Sequence, residues 1–363
     1  MPSAFIISYF SAVGMKPADF ENLKTIIDME KILTIVIPTY NMQDYLHRCL
    51  DSLIVPEEQM KHLEVLVVND GSKDNSSAIA HEYQNKYPDT FRVIDKDNGH
   101  YGSCVNAALK IATGKYFRLV DADDWVNTSG LIKLIDLLSV HNEDAVFTKF
   151  SLQYLYKNKV KLCDVNGIKW KSYDLNQEMI PLACLAMHGI TFRLELLKDI
   201  HYVQTEGIAY TDTEFVYYPL CQAKSLVCLD IELYQYFIGR GEQTVSKNAI
   251  VKNYGHFKVL YDKIKSYVPT YPNFNSLYLR KIYLVRIFTY MLDVQIKYSK
   301  GSLKHDSQIR SDFADLKRND FNVFDTLMNK NIFGLYYVKN WYADNFMSYL
   351  QAIMFKAYRF IFK

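Results

Sequence analysis

Four short apolar runs alternate with helix-like stretches between residues 32 and 140, and this alternation constrains the fold more than any other feature of the chain. The runs are ILTIVIP, LEVLVVND, FRVID and YFRLVD, and they are rich in β-branched residues. Apolar strands without in-out alternation are typical of parallel sheets that are covered on both faces. Such sheets bind ligands beyond the carboxyl ends of their strands. We therefore expect an α/β fold with right-handed crossovers and a site just after these runs.

The bulk properties of the chain exclude several other classes of protein. Its 363 residues suffice for one large domain with an appendage or for two domains, and the net charge of +2 gives no indication of a nucleic-acid partner. The six cysteines form no Cys-x-x-Cys pair, which indicates buried thiols in a reducing, cytoplasmic compartment. No apolar run reaches the roughly 20 residues that a membrane span needs.

Polar clusters follow the first three apolar runs. The first is PTYN at residues 38–41, and the second is NDGSKD, in which Asp70 stands at the predicted strand end. A carboxylate there can accept from a nucleobase N–H or a ribose hydroxyl, although an Asx turn would explain Asp70 equally well. The third cluster, DKDNGHYGSCVN, has two glycines near a predicted helix start, which indicates close approach to a ligand. It is not the Gly-x-Gly-x-x-Gly fingerprint of dinucleotide-binding proteins.

Three carboxylates follow the fourth apolar run, in Asp121-Ala122-Asp123-Asp124, which we call the acidic segment. If the chain is extended here, Asp121 and Asp123 point to the same side and Asp124 points away. Two converging carboxylates require a cation, and oxygen ligands favour Mg²⁺ or Mn²⁺ shared with the phosphates of a nucleotide. The alternative is that Asp123 or Asp124 caps the helix that starts near Thr128.

Two later segments could contribute to chemistry. In GIAYTDTEFVYY, Thr211 and Glu214 match a capping box, so a helix should begin there. Asp212 would then lie in the first turn as a candidate general base, with Glu214 as the alternative. In YQYFIGRGEQTVS, Arg240 lies between two glycines and could pair with phosphate, or could simply occupy an exposed turn.

In combination, these motifs resemble the family 2 glycosyltransferases, which have the GT-A fold. The resemblance rests on TIVIPTYN, VVNDGSKDNS, NGHYGSCVNAAL, GKYFRLVDADDWV, the TDTEF helix start and the GRGEQTVS segment, and it covers roughly residues 32–246. It implies a mostly parallel sheet flanked by helices, with a helical C-terminal extension. It also implies a nucleoside-diphosphate sugar donor, most often UDP-linked, and Mn²⁺ or Mg²⁺. The acceptor would be a hydroxyl of a glycan or of a lipid-linked glycan, attacked in a single inverting displacement.

The resemblance also implies roles for particular residues. Asp123, together with Asp121, would bind the metal, and Asp212 would act as the base. The expected donor-site residues are Pro38, Thr39, Tyr40, Asp70, Asp121, Ala122, Asp123 and Arg240. This chain departs from the family where Thr211 replaces the usual Glu, and where His100 and Tyr101 replace small residues. A non-catalytic binding module and a nucleotidyltransferase are the alternative functions.

The same reasoning divides the chain into four parts. Residues 1–28 are an extension that either a misplaced start codon or a genuine extra helix would explain. Residues 29–140 are the nucleotide-sugar-binding half, 141–245 the acceptor-side half, and 246–363 a helical C-terminal region. The tail after Asn345 is basic and aromatic, which suits an interfacial helix on an anionic membrane, or else a helix packed on the domain. We therefore expect a cytoplasmic protein, with the tail as a route to peripheral attachment at the inner face of the cell membrane.

Overall fold

The computed structural model describes residues 31–163, 165–239, 247–298, 307–330 and 337–342. These residues divide into two compact units. The first unit contains the described residues of 31–175, 180–207 and 223–239, and the second contains those of 176–179, 208–222 and 247–342. The predicted extension before residue 29 and the tail after Asn345 lie outside the described residues. The domain boundaries at residues 140 and 245 stay predictions.

The first unit is built on one mixed sheet of ten described strands. The strand order is β3-β2-β1-β4-β9-β6-β10-β5, with β7 paired to β6 and β8 paired to β10. The strands are β1 Leu33–Thr39, β2 Leu63–Asn69, β3 Phe91–Asp95, β4 Tyr116–Leu119, β5 Trp125–Val126, β6 Ala145–Tyr154, β7 Lys159–Leu162, β8 Ser172–Asp174, β9 Ile190–Arg193 and β10 Ser225–Phe237.

The four apolar runs form β1 to β4, and these strands are parallel to one another. Every residue of β1 and β2 is buried, as uninterrupted apolar runs require when both faces of a sheet are covered. Strand β9 lies between β4 and β6 and is antiparallel to both. The carboxyl ends of β1 to β4 therefore meet at one edge of the sheet, where the polar clusters follow.

Six described helices belong to the first unit: α1 Gln43–Asp51, α2 Glu57–Met60, α3 Ser76–Lys86, α4 His100–Leu109, α5 Thr128–Val140 and α6 Leu194–Asp199. Helix α1 buries Leu46, Cys49 and Leu50 in the core, which is the spacing of an amphipathic helix. Helix α5 is capped by Asn127, whose side chain accepts from the Gly130 amide at 3.2 Å. Neither Asp123 nor Asp124 is its N-cap, so the capping alternative for the acidic segment is wrong.

Gly130 lets α5 pack closely on the sheet. A Cβ atom at this position would lie 2.5 Å from the carbonyl oxygen of Glu232 on β10. Because that contact is with backbone, no side-chain adjustment could relieve it. The glycine thus sets the distance between α5, which follows the acidic segment, and the strand that completes the site described below.

The second unit is helical in its described residues. Its helices are α7 Asp212–Leu220, α8 Lys247–Lys252, α9 Tyr254–Ser266, α10 Ser276–Tyr298, α11 Ser307–Asn319, α12 Phe321–Met328 and α13 Tyr337–Tyr342. Its core is strongly aromatic: the ring of Phe313 lies 5.4 Å from Phe288, 4.9 Å from Phe324 and 5.8 Å from Trp341, between centroids. This packing accounts for part of the high aromatic content of the chain.

Within the described part of the chain, every helix is too short or too polar to cross a lipid bilayer.

Glu143 lies between α5 and β6, and its contacts make the stability of the first unit depend on pH. Its carboxylate accepts from Ser172 Oγ at 2.5 Å and pairs with His141 Nδ1 at 2.9 Å. The bond to His141 is the main cause that lowers the pKa of Glu143 from 4.5 to about 2, and burial opposes it. A lowered folded-state pKa stabilises the protein above the unfolded value, and the stabilisation is lost as pH falls towards 2.

We therefore expect Glu143→Gln to lower the free energy of unfolding by about 1–2 kcal/mol at neutral pH, an amount already reduced for solvent screening. The difference from the wild type should shrink as pH falls below about 4.5. Urea unfolding at neutral and acidic pH measures this difference, and the exposed Glu195→Gln is the control, with little effect at either pH. A loss that is equal at both pH values would contradict the assignment.

Candidate functional site

The loops that follow β1 and β2 hold each other in place. The Asn41 amide donates to Ser72 Oγ at 3.0 Å, and Asn41 Oδ1 accepts from the Lys73 amide at 2.8 Å. The carboxylate of Asp74 accepts from the first backbone N–H groups of both α1 and α3, each at 3.0 Å. Asp74 thus acts at two helix starts. These reciprocal bonds fix the edge of the sheet on which the expected donor-site residues lie.

Asp70 is held at this edge through one carboxylate oxygen. The residue is 3% exposed, and its Oδ1 accepts from Lys96 Nζ at 2.7 Å and from the Gly99 amide at 2.9 Å. Its Oδ2 accepts no hydrogen bond from the described residues. The carboxylate is therefore anchored across to the loop after β3, rather than folded back on its own turn, and one oxygen is left to accept from a ligand.

Lys96 is a residue that the sequence reading missed, although it stands in the DKDNG cluster directly after β3.

The expected donor-site residues of the first loop, Pro38, Thr39 and Tyr40, lie close to Asp70 in the fold. The carbonyl of Thr39 accepts from the Asp70 amide at 2.8 Å. Pro38 and Thr39 are buried as the last residues of β1, whereas the side chain of Tyr40 is 45% exposed. Of these three, Tyr40 has the ring available for contact with a ligand.

The acidic segment is a tight turn, not a continuation of the strand. Strand β4 ends at Leu119, and the Asp124 amide donates to the carbonyl of Asp121 at 3.0 Å. The extended geometry assumed from the sequence was therefore wrong. Asp121 is half-buried, Asp123 is 8% exposed, and Asp124 is fully buried. Ala122 is buried in the same turn.

Asp124 points into the protein and is bonded to the last strand of the sheet. Tyr234 donates its hydroxyl to Asp124 Oδ2 at 2.5 Å, and the Phe237 amide donates to Oδ1 at 2.7 Å. The same Tyr234 hydroxyl accepts from the Asp121 amide at 3.1 Å. Burial raises the pKa of the Asp124 carboxyl well above its usual range, and the charges of Asp121 and Asp123 raise it further. Tyr234 therefore organises the whole turn from a position 110 residues away.

Arg48 on α1 is the cation next to this turn. Its Nη2 donates to the carbonyl of Asp123 at 2.7 Å, and its guanidinium carbon lies 4.0 Å from the ring centroid of Trp125 and 5.0 Å from that of Phe237. Burial lowers the pKa of Arg48, while the charges of Asp124 and then Asp123 raise it. The opposing charge thus comes from the chain itself, which the sequence reading did not foresee. The sequence feature that could have indicated this role is the position of Arg48 beside Cys49, on a helix whose Leu46 and Cys49 are buried.

His188 brings a different donor type to the acidic segment. One ligand atom each from Asp121, Asp124 and His188 lie within 4.8 Å of one another. The His188 ring stacks on Tyr236 at 4.3 Å and meets Tyr234 edge-on at 4.9 Å, both between centroids. No motif in the sequence singled out this histidine, because it belongs to an irregular segment with no recognisable spacing to the carboxylates.

Arg118 fixes the segment that carries His188. It is fully buried on β4, donates to Thr191 Oγ1 at 2.8 Å and donates to the backbone carbonyl of His188. Burial lowers the pKa of Arg118 to about 10, and no described carboxylate pairs with it. Hydrogen bonds to neutral oxygens of His188 and Thr191 offset the unfavourable free energy of burying this charge. Because breaking them would leave the guanidinium without partners, they hold residues 188–191 against β4.

The residues of the acidic segment fit a divalent cation. Three carboxylates occur within four residues, and the charges of Asp121 and Asp123 add to burial, the main cause, in raising the pKa of Asp124. A cation would relieve that repulsion, and carboxylate oxygens suit Mg²⁺ and Mn²⁺. Asp121 also accepts from the hydroxyl of Tyr101 at 3.0 Å, so a side chain from α4 already orients it. The expected pair of Asp121 and Asp123 stays a prediction, beside the grouping of Asp121 with Asp124 and His188.

The expected base lies in the second unit. Helix α7 begins at Asp212 with Thr211 as N-cap, but the Thr211 side chain makes no cap hydrogen bond, so the helix start is confirmed without the capping box. Glu214 is fully buried and accepts from Tyr218 at 3.3 Å. Asp212 is half-buried; burial raises its pKa and the charge of Arg286 opposes this. Asp212 is therefore the more accessible of the two candidates. Arg240 lies outside the described residues.

Comparison with known proteins gives matches in sequence and in fold. Residues 34–200 match the sequence model described as Glycosyl transferase family 2. The chain is 38% identical over 175 residues to an uncharacterized glycosyltransferase, the MG025 homolog of Mycoplasma pneumoniae, covering 46% of this chain and 57% of that protein. It is 34% identical over 119 residues to the poly(ribitol-phosphate) beta-glucosyltransferase of Bacillus spizizenii, covering 32% and 19%.

Among solved structures, residues 1–349 of S. aureus TarS in complex with UDP-GlcNAc superpose with a TM-score of 0.62 at 20% identity, covering 90% of this chain and 91% of that one. This similarity confirms the GT-A fold that the sequence predicts. The aligned residues span little more than half of the mycoplasma protein and about a fifth of the Bacillus one. The activity and substrates of this protein are therefore argued separately below.

The role of Tyr234 in the acidic turn can be tested by removing one oxygen atom. Tyr234→Phe leaves a buried carboxylate oxygen and the Asp121 amide without their partner, and we expect it to cost about 2–4 kcal/mol of unfolding free energy. Tyr116→Phe is the matched control, since that buried tyrosine donates only to the backbone carbonyl of Glu143 at 3.1 Å, and it should cost about 1 kcal/mol. Denaturant unfolding measures both. Equal losses would mean that the Tyr234 hydroxyl is no more than an ordinary buried donor.

Proposed function

We propose that the protein is an inverting glycosyltransferase that moves a sugar from a nucleoside diphosphate, UDP in the first instance, to a hydroxyl of a cell-surface glycan or its lipid-linked precursor. The observation that carries the proposal is the acidic turn at the carboxyl end of β4. It lies at the same edge of the sheet as the Asp70 carboxylate, one oxygen of which accepts no hydrogen bond from the described residues. Both belong to the segment that matches the family 2 model. Supporting it, the TarS structure is described in complex with UDP-GlcNAc, and a Bacillus relative is named for glucosyl transfer to poly(ribitol phosphate).

The donor half of the reaction is assigned to the first unit. Asp70 Oδ2 would accept from the base or the ribose of the nucleotide, since Oδ1 is already engaged by Lys96. Thr39 and Tyr40 would border the same pocket, with the exposed Tyr40 ring against the base. Anchoring Asp70 in advance keeps the entropic cost of binding low, because the acceptor oxygen is already oriented.

Asp121 and Asp123 are proposed to hold Mn²⁺ or Mg²⁺ with the donor diphosphate. When bound, such a cation stabilises the negative charge that develops on the leaving diphosphate. The chain's own contribution is orientation: Tyr101 holds the Asp121 carboxylate, and Arg48 holds the Asp123 backbone. Arg240 is proposed to pair with the same diphosphate.

Asp212 is proposed as the general base. It would take the proton of the acceptor hydroxyl as that oxygen attacks the anomeric carbon, and the sugar–diphosphate bond would break with inversion at that carbon. Burial raises the pKa of Asp212, which makes its carboxylate a stronger base than an exposed aspartate, while the opposing charge of Arg286 helps to keep it ionised. A single base suffices for this displacement, in contrast to the two carboxylates of glycosidases.

Two other functions remain as outcomes of the experiments below. A binding module would keep the nucleotide site without turnover, and a nucleotidyltransferase would make pyrophosphate from a nucleoside triphosphate. The family 2 match favours glycosyl transfer over the second of these.

Nucleotide binding is the first quantity to measure. We expect thermal unfolding to shift upward with UDP in the presence of Mn²⁺, because a ligand at 100 times its dissociation constant adds about 2.7 kcal/mol of stability. GDP, CDP and dTDP at the same concentration identify the base. Asp123→Asn should remove the Mn²⁺-dependent part of the shift while keeping the fold.

His188→Gln separates the two metal arrangements. If Asp121 and Asp123 hold the ion without the histidine, this variant keeps the Mn²⁺-dependent shift. Loss of the shift in His188→Gln but not in Asp123→Asn would assign the metal to Asp121, Asp124 and His188 instead. No shift with any nucleotide would contradict the donor site as a whole.

The base assignment has its own test. Asp212→Asn should lower the turnover of UDP-sugar by at least about 100-fold, the usual share of a general base, and leave the nucleotide-dependent shift unchanged. Glu214→Gln in the same helix is the control, because its buried side chain is not expected to meet the acceptor. If Asp212→Asn keeps its turnover and Glu214→Gln loses it, the general base is Glu214 rather than Asp212.

A further inference from the structure

A hairpin with an apolar tip extends from the sheet between β6 and β7. Residues 155–157 form a single 3₁₀ turn, and Asn158, with a φ of 45°, reverses the chain. The side chains at the tip are unusually open for their type: Leu155 is 46% exposed and Tyr156 is 74% exposed. We refer to residues 154–162 as the basic hairpin.

The charge of the basic hairpin is all of one sign. Lys157, Lys159 and Lys161 are exposed, and the segment contains no acidic residue. None of the three lysines pairs with a described carboxylate. On the opposite face of β7, Val160 and Leu162 are 60% and 41% exposed. Exposed lysines and exposed apolar side chains therefore occur together along the hairpin, on opposite faces of β7, with Leu155 and Tyr156 at its tip.

Protection of a sheet edge explains only part of this composition. Strand β7 pairs with β6 alone, and lysines on an edge strand discourage pairing with another chain. That accounts for Lys159 and Lys161. It does not account for Leu155 and Tyr156, which lie beyond the strand and add exposed apolar area where an edge needs none. Tyrosine and aliphatic side chains flanked by lysine are typical of segments that lie at a membrane surface.

We propose that the basic hairpin binds the surface of a membrane that contains anionic lipids. Leu155 and Tyr156 would enter the headgroup region, and the three lysines would pair with lipid phosphates. The charge of the lysines is complementary to such a surface, and the apolar tip gains burial there. A soluble polyanion would satisfy the lysines and leave the tip in water, which is why a membrane is the better occupant.

The hairpin is close to the acidic turn within the first unit. The ring of Tyr156 lies 6.0 Å from that of Phe237, whose amide holds Asp124. A membrane bound at the tip would therefore keep that end of the sheet near lipid-linked acceptors. This consequence rests on the proposed function, whereas membrane binding itself does not, since it is measured without nucleotide or acceptor.

Co-sedimentation of the full chain with lipid vesicles tests the proposal. The protein should bind vesicles of phosphatidylcholine mixed with phosphatidylglycerol more tightly than vesicles of phosphatidylcholine alone. Lys157→Gln/Lys159→Gln/Lys161→Gln should weaken binding to the mixed vesicles by about 100-fold, since each lysine near such a surface contributes about fivefold. Leu155→Ser/Tyr156→Ser should weaken it by about tenfold or more.

A second triple variant controls for net charge. Lys110, Lys133 and Lys198 are exposed elsewhere in the first unit, and their replacement by Gln should leave binding within about twofold of the wild type. Equal weakening by both triple variants would overturn the proposal, because net charge alone would then drive binding. Wild-type binding by both hairpin variants would also overturn it, and would assign any attachment to another part of the chain.

Hydrogen exchange and a soluble competitor complete the test. Backbone amides of residues 154–162 should exchange more slowly on mixed vesicles than in solution. Unchanged exchange there would overturn the proposal. Inorganic polyphosphate is the soluble competitor. If polyphosphate slows exchange of the same amides and mixed vesicles do not, the hairpin is a polyanion site, and the proposal of membrane binding is equally overturned. Because the hairpin variants are expected to keep their UDP-dependent thermal shift, failure here is distinguishable from failure of the donor site.

Discussion

The buried carboxylate of Asp124 is the interaction on which the rest of the candidate site depends. An ionised carboxylate without partners would be too costly to bury, so its position requires the Tyr234 hydroxyl, the Phe237 amide and the nearby guanidinium of Arg48. These groups come from α1 and β10, which are far apart in sequence and lie on either side of the turn. The turn therefore joins α1, through Arg48 and the Asp123 carbonyl, to β10, through the Asp124 carboxylate. The positions of Asp121 and Asp123 are fixed in turn, because both belong to the turn that Asp124 anchors.

The loops at the strand ends are joined to one another in a similar way. The loops after β1, β2 and β3 exchange hydrogen bonds with one another, through Asn41 and Asp74 between the first two and through Asp70 and Lys96 between the second and third. Together they form a frame in which one oxygen of Asp70 remains uncommitted. Preorganisation of this kind is what a site for a polar ligand requires, because the cost of ordering its groups is met during folding.

The sequence predicted the sheet well because uninterrupted apolar runs have few alternatives in a chain of this length. It also predicted that the polar clusters meet at one edge of the sheet, where parallel sheets bind ligands, and those clusters in combination carry the resemblance to the family 2 glycosyltransferases. It failed where tertiary contacts decide the geometry. The spacing of Asp121, Asp123 and Asp124 suggested an extended chain, whereas a backbone bond within the segment made a turn. Arg48, Lys96, Tyr234 and His188 were missed because their roles depend on which elements become neighbours. Local pattern carries no information about that.

The bond between Tyr234 and Asp124 also has a consequence for how the protein is made. Synthesis proceeds from the N-terminus, so the acidic turn leaves the ribosome 110 residues before the tyrosine that completes it. Until then, the Asp124 carboxylate lacks the two hydrogen bonds that it accepts from β10, and Arg48 holds only the backbone of the turn, at Asp123. A fragment that stops at the end of α5 would contain β1 to β4 and still lack the partners of its acidic turn. These four strands and the turn are contiguous in sequence, yet the turn becomes structurally complete only when β10 is in place.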